Sequence, residues 1–304
     1  MPTGHGPIDH LGARGIPSPD APQLRLGSRS PRSRWTSWSS VVIAAGIAAS
    51  SSYALLAPDP YRDLPEATLI AARAQDVCSV LVAVLLVLLR RRPSARVHLV
   101  RLGLLAYVAY SYSIYLIGVP MNRVFLIYVV LVTVSGAALL DGVVRLRPGG
   151  WPRVSRPRLE RGTGWVLVAV AVLFAALWLA ALLPFALGGA EPDTVGPGGA
   201  AYPVFVLDLV VALPCVGAVG ILALRGRAIA GPLVVVVLVK IITLFTALWA
   251  GVLVGLAMGA EVHLAADAGP SVVMLGACVI LLRRWLRSLS PDESAYVRST
   301  IWEL

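Results

Sequence analysis

The chain has 304 residues, of which 58% are hydrophobic and only 14% are charged. Soluble domains are about 45–50% apolar, so this composition excludes an ordinary soluble protein. The formal net charge of +10 does not indicate a nucleic-acid-binding protein, because the arginines are scattered between apolar runs instead of forming one basic face. In those positions we expect them to set membrane topology and to contact anionic lipids.

The apolar runs follow a polar N-terminal segment. Residues 1–38 are rich in Pro, Gly, Ser and Arg and show no apolar period, which predicts a disordered basic tail. Eight runs that are long enough to cross a bilayer as helices come next, at residues 39–57, 68–89, 98–118, 124–144, 164–187, 204–224, 231–258 and 269–286. The first is interpreted as an uncleaved span, because the leader before it is too long for a signal peptide. The sequence therefore predicts an all-α bundle of eight transmembrane helices over 39–288, with a short tail at 289–304.

The charges in the connections predict the orientation. Arginines are concentrated in the N-terminal tail, in the connections at 90–96, 145–161 and 225–227, and near the end of the chain. The opposite connections are mainly acidic, with Arg62 and Arg123 as exceptions. Because basic residues stay on the cytoplasmic side, we expect both termini in the cytoplasm. The use of arginine over lysine, with abundant Ala, Val, Leu and Gly, suggests a bacterial coding sequence and hence a bacterial cell membrane.

The two halves of the chain, four spans each, would run in the same sense if the chain arose by duplication. Arginine-rich segments that end in Trp35 and Trp165 precede spans one and five. Acidic, proline-containing connections precede spans two and six, and each of these spans carries an aspartate, Asp76 or Asp208. A parallel 4+4 repeat is therefore one hypothesis, since transporters often contain internal repeats.

Lys240 is the most informative single residue. It is the only lysine among 26 basic residues, and it lies inside the apolar run 231–258. A cation in hydrocarbon costs at least ~2.5–3.5 kcal/mol, so such residues are rare and usually partnered or functional. With a rise of about 1.5 Å per residue, Lys240 is expected near the midplane, and Arg73, Asp76 and Asp208 about 7–12 Å below the outer boundary.

Hydroxyl and amide side chains are expected at the same outer level. They occupy the upper half of span three and the start of span four, at Tyr107, Tyr110, Ser111, Tyr112, Ser113, Tyr115, Asn122 and Tyr128. The inner half of the predicted membrane region is almost entirely aliphatic. The polar residues are therefore expected to form one cluster near the outside.

The helical angle of about 100° per residue predicts which way Lys240 faces. Ala247, Gly251 and Gly255 lie within about 60° of it, and Gly259 lies at about 100°. Because small residues let another helix approach closely, Lys240 is expected to face the bundle, and the three glycines form a ridge on which a partner helix could pack.

Two further local features are expected on the same geometry. Trp249 lies opposite Lys240 and is expected to face lipid. Pro214 removes the amide that would bond to the carbonyl of Val210, which predicts a bend one turn below Asp208.

The intramembrane polar residues allow two interpretations. The functional one is a water-filled pocket, open to the outside, that binds a small zwitterionic or anionic solute or a lipid headgroup. Its expected binding residues are Lys240, Asp208, Asp76, Arg73, Tyr112, Tyr115 and Asn122. The structural one is that Arg73–Asp76 and Lys240–Asp208 are ion pairs that hold helices in register, with the tyrosines as an interfacial belt. Arg101 and Asp141, at cytoplasmic ends of spans, are expected to lie at the interface.

Recognisable enzyme motifs are lacking from the sequence. No P-loop, GxGxxG, HExxH, GxSxG or SxxK pattern occurs, and no two histidines share a helical i,i+3 or i,i+4 spacing. Cys78, Cys215 and Cys278 lie in apolar runs without CxxC spacing, so we expect buried small side chains. We expect no metal, no cofactor and no nucleic-acid partner. Membrane lipids are expected as partners.

The stretch Tyr110-Ser-Tyr-Ser-Ile-Tyr-Leu-Ile-Gly-Val-Pro-Met-Asn-Arg-Val-Phe-Leu-Ile-Tyr128, with the later Val206-Leu-Asp208-Leu, resembles a group of uncharacterised bacterial multi-pass membrane proteins. Those proteins carry a tyrosine-rich helix, a short outer turn with Asn, and a later Leu-Asp-Leu span. The resemblance implies a multi-pass fold and no particular activity. It marks the tyrosines, Asn122 and Asp208, which the depth argument also selects.

Three functions follow from these observations, in order of preference. The first is a transporter of a small polar or anionic solute, with its site in the outer half of the bundle. The second is a non-catalytic partner subunit or sensor that docks through Gly251, Gly255 and Gly259. The third is an intramembrane enzyme for a lipid-linked substrate, with Asp76 or Asp208 as general base and Lys240 as electrostatic stabiliser.

Overall fold

The computed structural model describes residues 31–57, 59–61, 64–92, 94–146, 157–192, 194–196, 199–260 and 269–288. Within these ranges the chain forms eight α-helices and no β-strand. The helices are α1 (Pro31–Leu56), α2 (Glu66–Leu89), α3 (Ala95–Gly118), α4 (Phe125–Val144), α5 (Pro157–Ala186), α6 (Pro203–Leu224), α7 (Ala230–Ala257) and α8 (Gly269–Ser288). A 3-10 turn, Asp59–Tyr61, lies between α1 and α2.

The helices coincide with the eight predicted apolar runs, so the all-α class is confirmed. Helices α1–α7 are long and apolar enough to cross a membrane. Helix α8 carries Arg283, Arg284 and Arg287 near its end and is not among those seven. Helix α1 begins at Pro31, so it extends into the segment that was predicted to be a disordered tail. The predicted tail segments 1–30 and 289–304 lie outside the described residues.

Helix ends follow local chemistry. Helix α2 begins after Pro65 and places Glu66 in its first turn, where a carboxylate complements the positive end of the helix. Helix α6 has Pro203 at its first position, where the missing amide costs no helical hydrogen bond. Just beyond the end of α7, Gly259 has a φ of +76°, which glycine readily adopts. The Ala260 amide donates a hydrogen bond to the Gly255 carbonyl at 3.0 Å, which caps the helix.

Helix α7 is the centre of the bundle. It packs against α2, α3, α6 and α8, and its residues Val234, Val235 and Leu238 are completely buried. Helix α3 approaches α7 most closely at Gly103, where an added Cβ would lie 2.8 Å from the Val236 carbonyl oxygen. A side chain at this position would force the two helices apart, so glycine here sets the separation of α3 and α7.

The helices pair in the same order in both halves of the chain. Helix α1 packs on α2 and α3 on α4; likewise α5 packs on α6 and α7 on α8. The third helix of each half, α3 or α7, packs against the other at the centre of the bundle. A parallel 4+4 repeat would also give α5 a contact with α8 like that of α1 with α4, but among the described residues only the α1–α4 contact is extensive. The repeat itself stays a prediction.

Two side chains near helix ends are buried. Trp285 of α8 is fully buried, and its indole N–H donates to Thr163 Oγ1 of α5 at 2.9 Å. Arg101 was expected to lie at the interface, but it is only 8% exposed, and its Nε has no hydrogen-bond partner. Asp141 instead pairs with Arg145 at 2.5 Å, one turn along α4.

Candidate functional site

Helix α3 separates two polar clusters, each built around one aspartate. Tyr110 and Tyr112 are two residues apart on α3 and therefore point about 200° away from each other. Tyr110 donates a hydrogen bond to Asp208 of α6, whereas Tyr112 lies among the serines of α1 that surround Asp76 of α2. The single outer pocket expected from the sequence is therefore two sites. We call them the Asp76 cluster and the Asp208 cluster.

The Asp76 cluster consists of Ser50 and Ser51 of α1, Tyr61 of the 3-10 turn, Asp76 and Ser79 of α2, Tyr112 and Tyr115 of α3, and Tyr128 of α4. The carboxylate of Asp76 is 2% exposed. It accepts hydrogen bonds from Ser51 Oγ at 2.9 Å and from Tyr61 Oη. Two hydroxyl donors thus replace the water that this carboxylate would have outside the protein.

Three tyrosine rings close the side of this cluster. The ring centroids of Tyr115 and Tyr128 are 5.2 Å apart, those of Tyr112 and Tyr115 are 5.4 Å apart, and those of Tyr112 and Tyr128 are 5.7 Å apart. Tyr115 Oη donates to the carbonyl of Ala72 at 2.7 Å, a helical carbonyl of α2 one turn before Asp76. Tyr112 Oη lies 3.4 Å from the hydroxyls of both Ser50 and Ser51. The rings therefore exclude solvent while their hydroxyls extend the polar network.

Burial and the charge of Asp76 raise the pKa of Tyr61 far above its usual range, and its hydrogen bond to Asp76 acts in the same direction. Tyr61 lies in the connection outside the spanning helices. The phenol therefore keeps its proton and remains a donor to the carboxylate.

Arg73 does not neutralise Asp76. The two were expected to interact as an i,i+3 pair on α2, but the Nη1 of Arg73 instead donates to the sulfur of Met258, beyond the end of α7, at 3.7 Å. The Nε of Arg73 is buried without a hydrogen-bond partner. Between residues that the structure describes, the one recorded ion pair is Asp141–Arg145. The prediction of an Arg73–Asp76 ion pair is therefore wrong, because Arg73 turns toward α7.

The Asp208 cluster joins four helices. Asp208 of α6 is 7% exposed and accepts hydrogen bonds from Tyr110 Oη of α3 at 2.7 Å and from the indole Nε1 of Trp178 of α5 at 2.9 Å. The ammonium of Lys240 of α7 lies 3.9 Å from the centroid of the Tyr110 ring. Tyr110, Trp178 and Lys240 are each half-buried.

The predicted inward orientation of Lys240 is confirmed, since its amine contacts a side chain of α3. The predicted Lys240–Asp208 ion pair is wrong, because no such pair lies within 4 Å among the described residues. Tyr110 lies between the two charges, with its ring facing the ammonium and its hydroxyl facing the carboxylate. A cation on an aromatic face is stabilised by about 0.5–2 kcal/mol, which compensates only part of the cost of burying an ammonium.

Asp208 also begins a break in the helix. Residues Asp208–Ala212 form one π-helical turn, and the Leu213 amide bonds to the Asp208 carbonyl. The turn immediately precedes Pro214, which cannot supply an amide to Val210. The predicted bend one turn below Asp208 stays a prediction, but a π turn interrupts the regular helix at this place. Such turns occur often at functional sites because they re-aim one side chain and loosen the backbone ladder.

The remaining predicted residues have local roles. Asn122 Oδ1 accepts the amide of Val124 at 3.1 Å and so shapes the turn before α4. Gly251 faces Ala74 of α2, whose Cβ would lie 3.7 Å from an added Cβ, and Gly259 ends α7. Two of the three ridge glycines therefore serve this chain's own fold. Trp249 is half-buried with a buried indole nitrogen, rather than turned fully to lipid.

Sequence reasoning missed the donors that hold the two aspartates. Ser51 belongs to the run Ser50-Ser51-Ser52-Tyr53, which is unusually polar for a membrane span and could have been noticed. Tyr61 stands in a connection and reaches Asp76 only because the 3-10 turn folds down beside α2. Trp178 stands in a uniformly apolar run, and nothing near it in the sequence indicates a polar partner. Cys215, expected to be buried, is exposed on α6.

Within the described residues, no group of three or more His, Cys, Asp or Glu side chains is arranged to hold a metal ion. Comparison with protein-family models, with curated proteins and with solved structures gives no match.

Proposed function

We propose that this protein is an eight-span transporter of the bacterial cell membrane that binds a small polar or anionic solute at the Asp208 cluster. The observation that carries the proposal is the separation of Lys240 from Asp208 by the ring of Tyr110. A half-buried cation and a buried carboxylate are thereby close together but not paired. A zwitterionic or anionic solute could bind the lysine, and a zwitterion could also use Asp208.

The energetic argument starts from Lys240. An uncompensated ammonium inside a membrane protein is costly, and such residues generally mark solute or ion pathways. The side chain is half-buried, so part of it borders space that protein atoms do not fill. An anionic group of a solute placed there would supply the charge that Tyr110 cannot.

The helix geometry supports a site that changes shape. The π turn at Asp208–Ala212 and the following Pro214 interrupt α6 beside the charged pair. Irregular helices near the membrane interior are the usual place where transporters bind their solutes. Helix α6 packs mainly against α5 and meets the rest of the bundle at α7 and α3. A movement of the α5–α6 pair against α3 and α7 would therefore change the Asp208 cluster.

The proposed topology rests on the arginines. With α8 as the eighth span, the arginine-rich connections and both ends of the chain lie on one side, which the positive-inside rule assigns to the cytoplasm. Asp76, Asp208 and the tyrosines then lie in the outer half. The partner-subunit alternative is less favoured, because Gly251 and Gly259 are used within the chain. The enzyme alternative is less favoured, because no recognisable catalytic motif occurs in the sequence.

Binding to the purified protein tests the proposal. Small zwitterions and anions, such as individual amino acids, acetate and inorganic phosphate, are screened by the shift they cause in the thermal midpoint in detergent. At least one is expected to stabilise the wild type, and Lys240→Met is expected to weaken its binding by at least about 10-fold, equal to 1.4 kcal/mol. The same compound should enter proteoliposomes that contain the wild type.

Thr246→Ala is the matched control, since it removes a hydroxyl from α7 that bonds only to its own helix, at the Ile242 carbonyl. It should bind the solute like the wild type. The proposal fails if Lys240→Met and Asp208→Asn are folded and bind every stabilising compound as well as Thr246→Ala. It also fails if both variants are simply degraded while Thr246→Ala is stable, because the two residues would then be structural.

A further inference from the structure

Among the residues that the structure describes, no positive side chain lies beside the carboxylate of Asp76. The groups that face Asp76 are Ser51 from α1, Tyr61 from the 3-10 turn, Tyr112 and Tyr115 from α3, and Tyr128 from α4. All are neutral hydroxyl groups. On its own helix, Arg73 is directed to Met258. The one charged side chain of α7, Lys240, lies over Tyr110 in the other cluster.

Such a carboxylate is unfavourable in its ionised form. Hydroxyl donors compensate part of the lost hydration, but burying an unpaired charge costs several kcal/mol more. Such a carboxylate therefore usually binds a proton or another cation. The tyrosine rings and the turn Asp59–Tyr61 keep bulk water away, since Asp76 is almost completely buried.

The hydroxyl groups form a chain of hydrogen bonds whose donor and acceptor can exchange roles. Ser51 Oγ lies 2.9 Å from Asp76 Oδ1 and 3.4 Å from Tyr112 Oη, so its one proton serves either neighbour. Tyr112 Oη is in turn 3.4 Å from Ser50 Oγ, and Ser50 donates to the carbonyl of Ile47 at 3.3 Å. When Asp76 is ionised, Ser51 donates to the carboxylate. When Asp76 carries a proton, it becomes a donor, and the Ser51 hydroxyl is free to turn toward Tyr112.

A further hydroxyl at this site has no partner. Ser79 lies one turn after Asp76 on the same face of α2 and is fully buried, yet its Oγ makes no hydrogen bond. It neighbours the hydroxyls of Tyr107 and Tyr112. An unsatisfied buried hydroxyl costs about 1–3 kcal/mol, so a rotation that lets Ser79 bond to Tyr107 or Tyr112 would be favoured, and this hydroxyl can join the chain.

We infer that Asp76 is a proton-binding site, and that the Ser51, Tyr112 and Ser50 hydroxyls beside it change their hydrogen-bond directions when the proton binds. A hydronium ion of the buffer gives up the proton and becomes water, the proton adds to a carboxylate oxygen of Asp76, and the Ser51 O–H reorients from Asp76 to Tyr112; no other bond is formed or broken. Sodium would need several oxygen ligands at once, and here two of the hydroxyls already point their protons at the carboxylate. The site is separate from the proposed solute site and is tested without any solute.

Infrared difference spectra of the purified protein between acidic and alkaline buffers test this inference. A protonated carboxylic acid has a C=O stretching band that ionised carboxylates lack, and it shifts in heavy water. The wild type is expected to lose this band as the pH is raised, and Asp76→Asn is expected to abolish the change. Asp141→Asn is the matched control, because Asp141 is half-exposed and paired with Arg145; its spectrum should keep the band.

A second variant keeps the test decisive if Asp76→Asn does not fold. Tyr61→Phe removes one donor to the carboxylate, so the ionised form is less favoured and the band should persist to higher pH. The inference is overturned if the wild type shows no such band, if the band is unchanged in Asp76→Asn, or, where that variant does not fold, if Tyr61→Phe leaves its pH dependence unaltered. It is also overturned in favour of a sodium site if the Asp76-dependent change follows Na⁺ at constant pH and not the pH itself.

The result is independent of the transport proposal. Lys240→Met, which is expected to lose solute binding, should leave the infrared change of Asp76 as it is in the wild type. A protein that binds no solute can still show the proton site, and a protein that transports can still lack it.

Discussion

The two aspartate clusters differ in how they accommodate a buried carboxylate. At Asp76 the described neighbours are buried and neutral, and the acid is held by hydroxyls from α1 and from the 3-10 turn. At Asp208 the acid shares a donor, Tyr110, with a lysine that is only half-buried, and the cluster lies where α5 and α6 meet α3 and α7. The first is a closed, neutral environment for a carboxylate, and the second is partly exposed and holds two opposite charges that are not paired.

The contrast shows why the same residue type can serve two purposes in one bundle. A closed network depends on each of its members, because a hydroxyl that loses its partner cannot find water instead. A partly open cluster can replace a lost contact with a solute, water or a lipid headgroup. Substitutions in and beside the two clusters test that difference.

Asp76→Ala is expected to destabilise the protein much more than Asp208→Ala. The first leaves the Tyr61 and Ser51 hydroxyls without their acceptor in a dry site and should cost about 3–4 kcal/mol. The second leaves Tyr110 and Trp178 with access to other partners and should cost about 1–2 kcal/mol. Unfolding in detergent, followed by circular dichroism, measures both. Equal losses would remove the distinction between a closed and an open cluster.

Gly103→Ala is expected to disturb both clusters together. The new Cβ would lie 2.8 Å from the Val236 carbonyl oxygen, so α3 must move away from α7. Overpacking of this kind costs about 1–3 kcal/mol. Gly136→Ala is the control, because nothing lies within 4 Å of its added Cβ; it should stabilise α4 by about 0.5–1 kcal/mol. A neutral effect at Gly103 would contradict the close approach of α3 and α7.

Two tyrosine variants are expected to give the smallest contrast. Tyr61→Phe removes a donor to a fully buried carboxylate and should cost about 1.5–2 kcal/mol. Tyr110→Phe also removes a donor to an aspartate, but it keeps the ring under Lys240 and should cost at most about 1 kcal/mol. The two thermal midpoints are compared in the same detergent. If Tyr110→Phe is the more damaging, the Asp208 cluster is the more tightly constrained of the two.

Much of the architecture was predictable, because each membrane-spanning helix is encoded by its own continuous apolar segment. The eight helices match the eight apolar runs to within a few residues at most ends, since a span requires a long continuous apolar segment whatever its neighbours are. The direction in which Lys240 points, toward the bundle, followed from helical periodicity alone. A break in α6 near Pro214 was expected because proline lacks an amide, and a π turn lies there.

The hydrogen-bond and ion-pair partners of the polar residues were harder to predict from the sequence. Proximity along α2 suggested that Arg73 would pair with Asp76, and similarity in depth suggested that Lys240 would pair with Asp208; both ion pairs were wrong. The rotation of α2 against α7 takes Arg73 to Met258. The position of Tyr110 on α3 places an aromatic ring where a direct ion pair was expected.

The order of apolar and charged residues along this chain was enough to establish a helical membrane protein with polar groups buried in its interior, because those properties depend on each segment and its contact with lipid. Whether the groups form one site or two depended on which faces of α3 meet α2 and α6. That arrangement is set by contacts between helices far apart in the chain, such as Gly103 with Val236, and no local pattern encodes it.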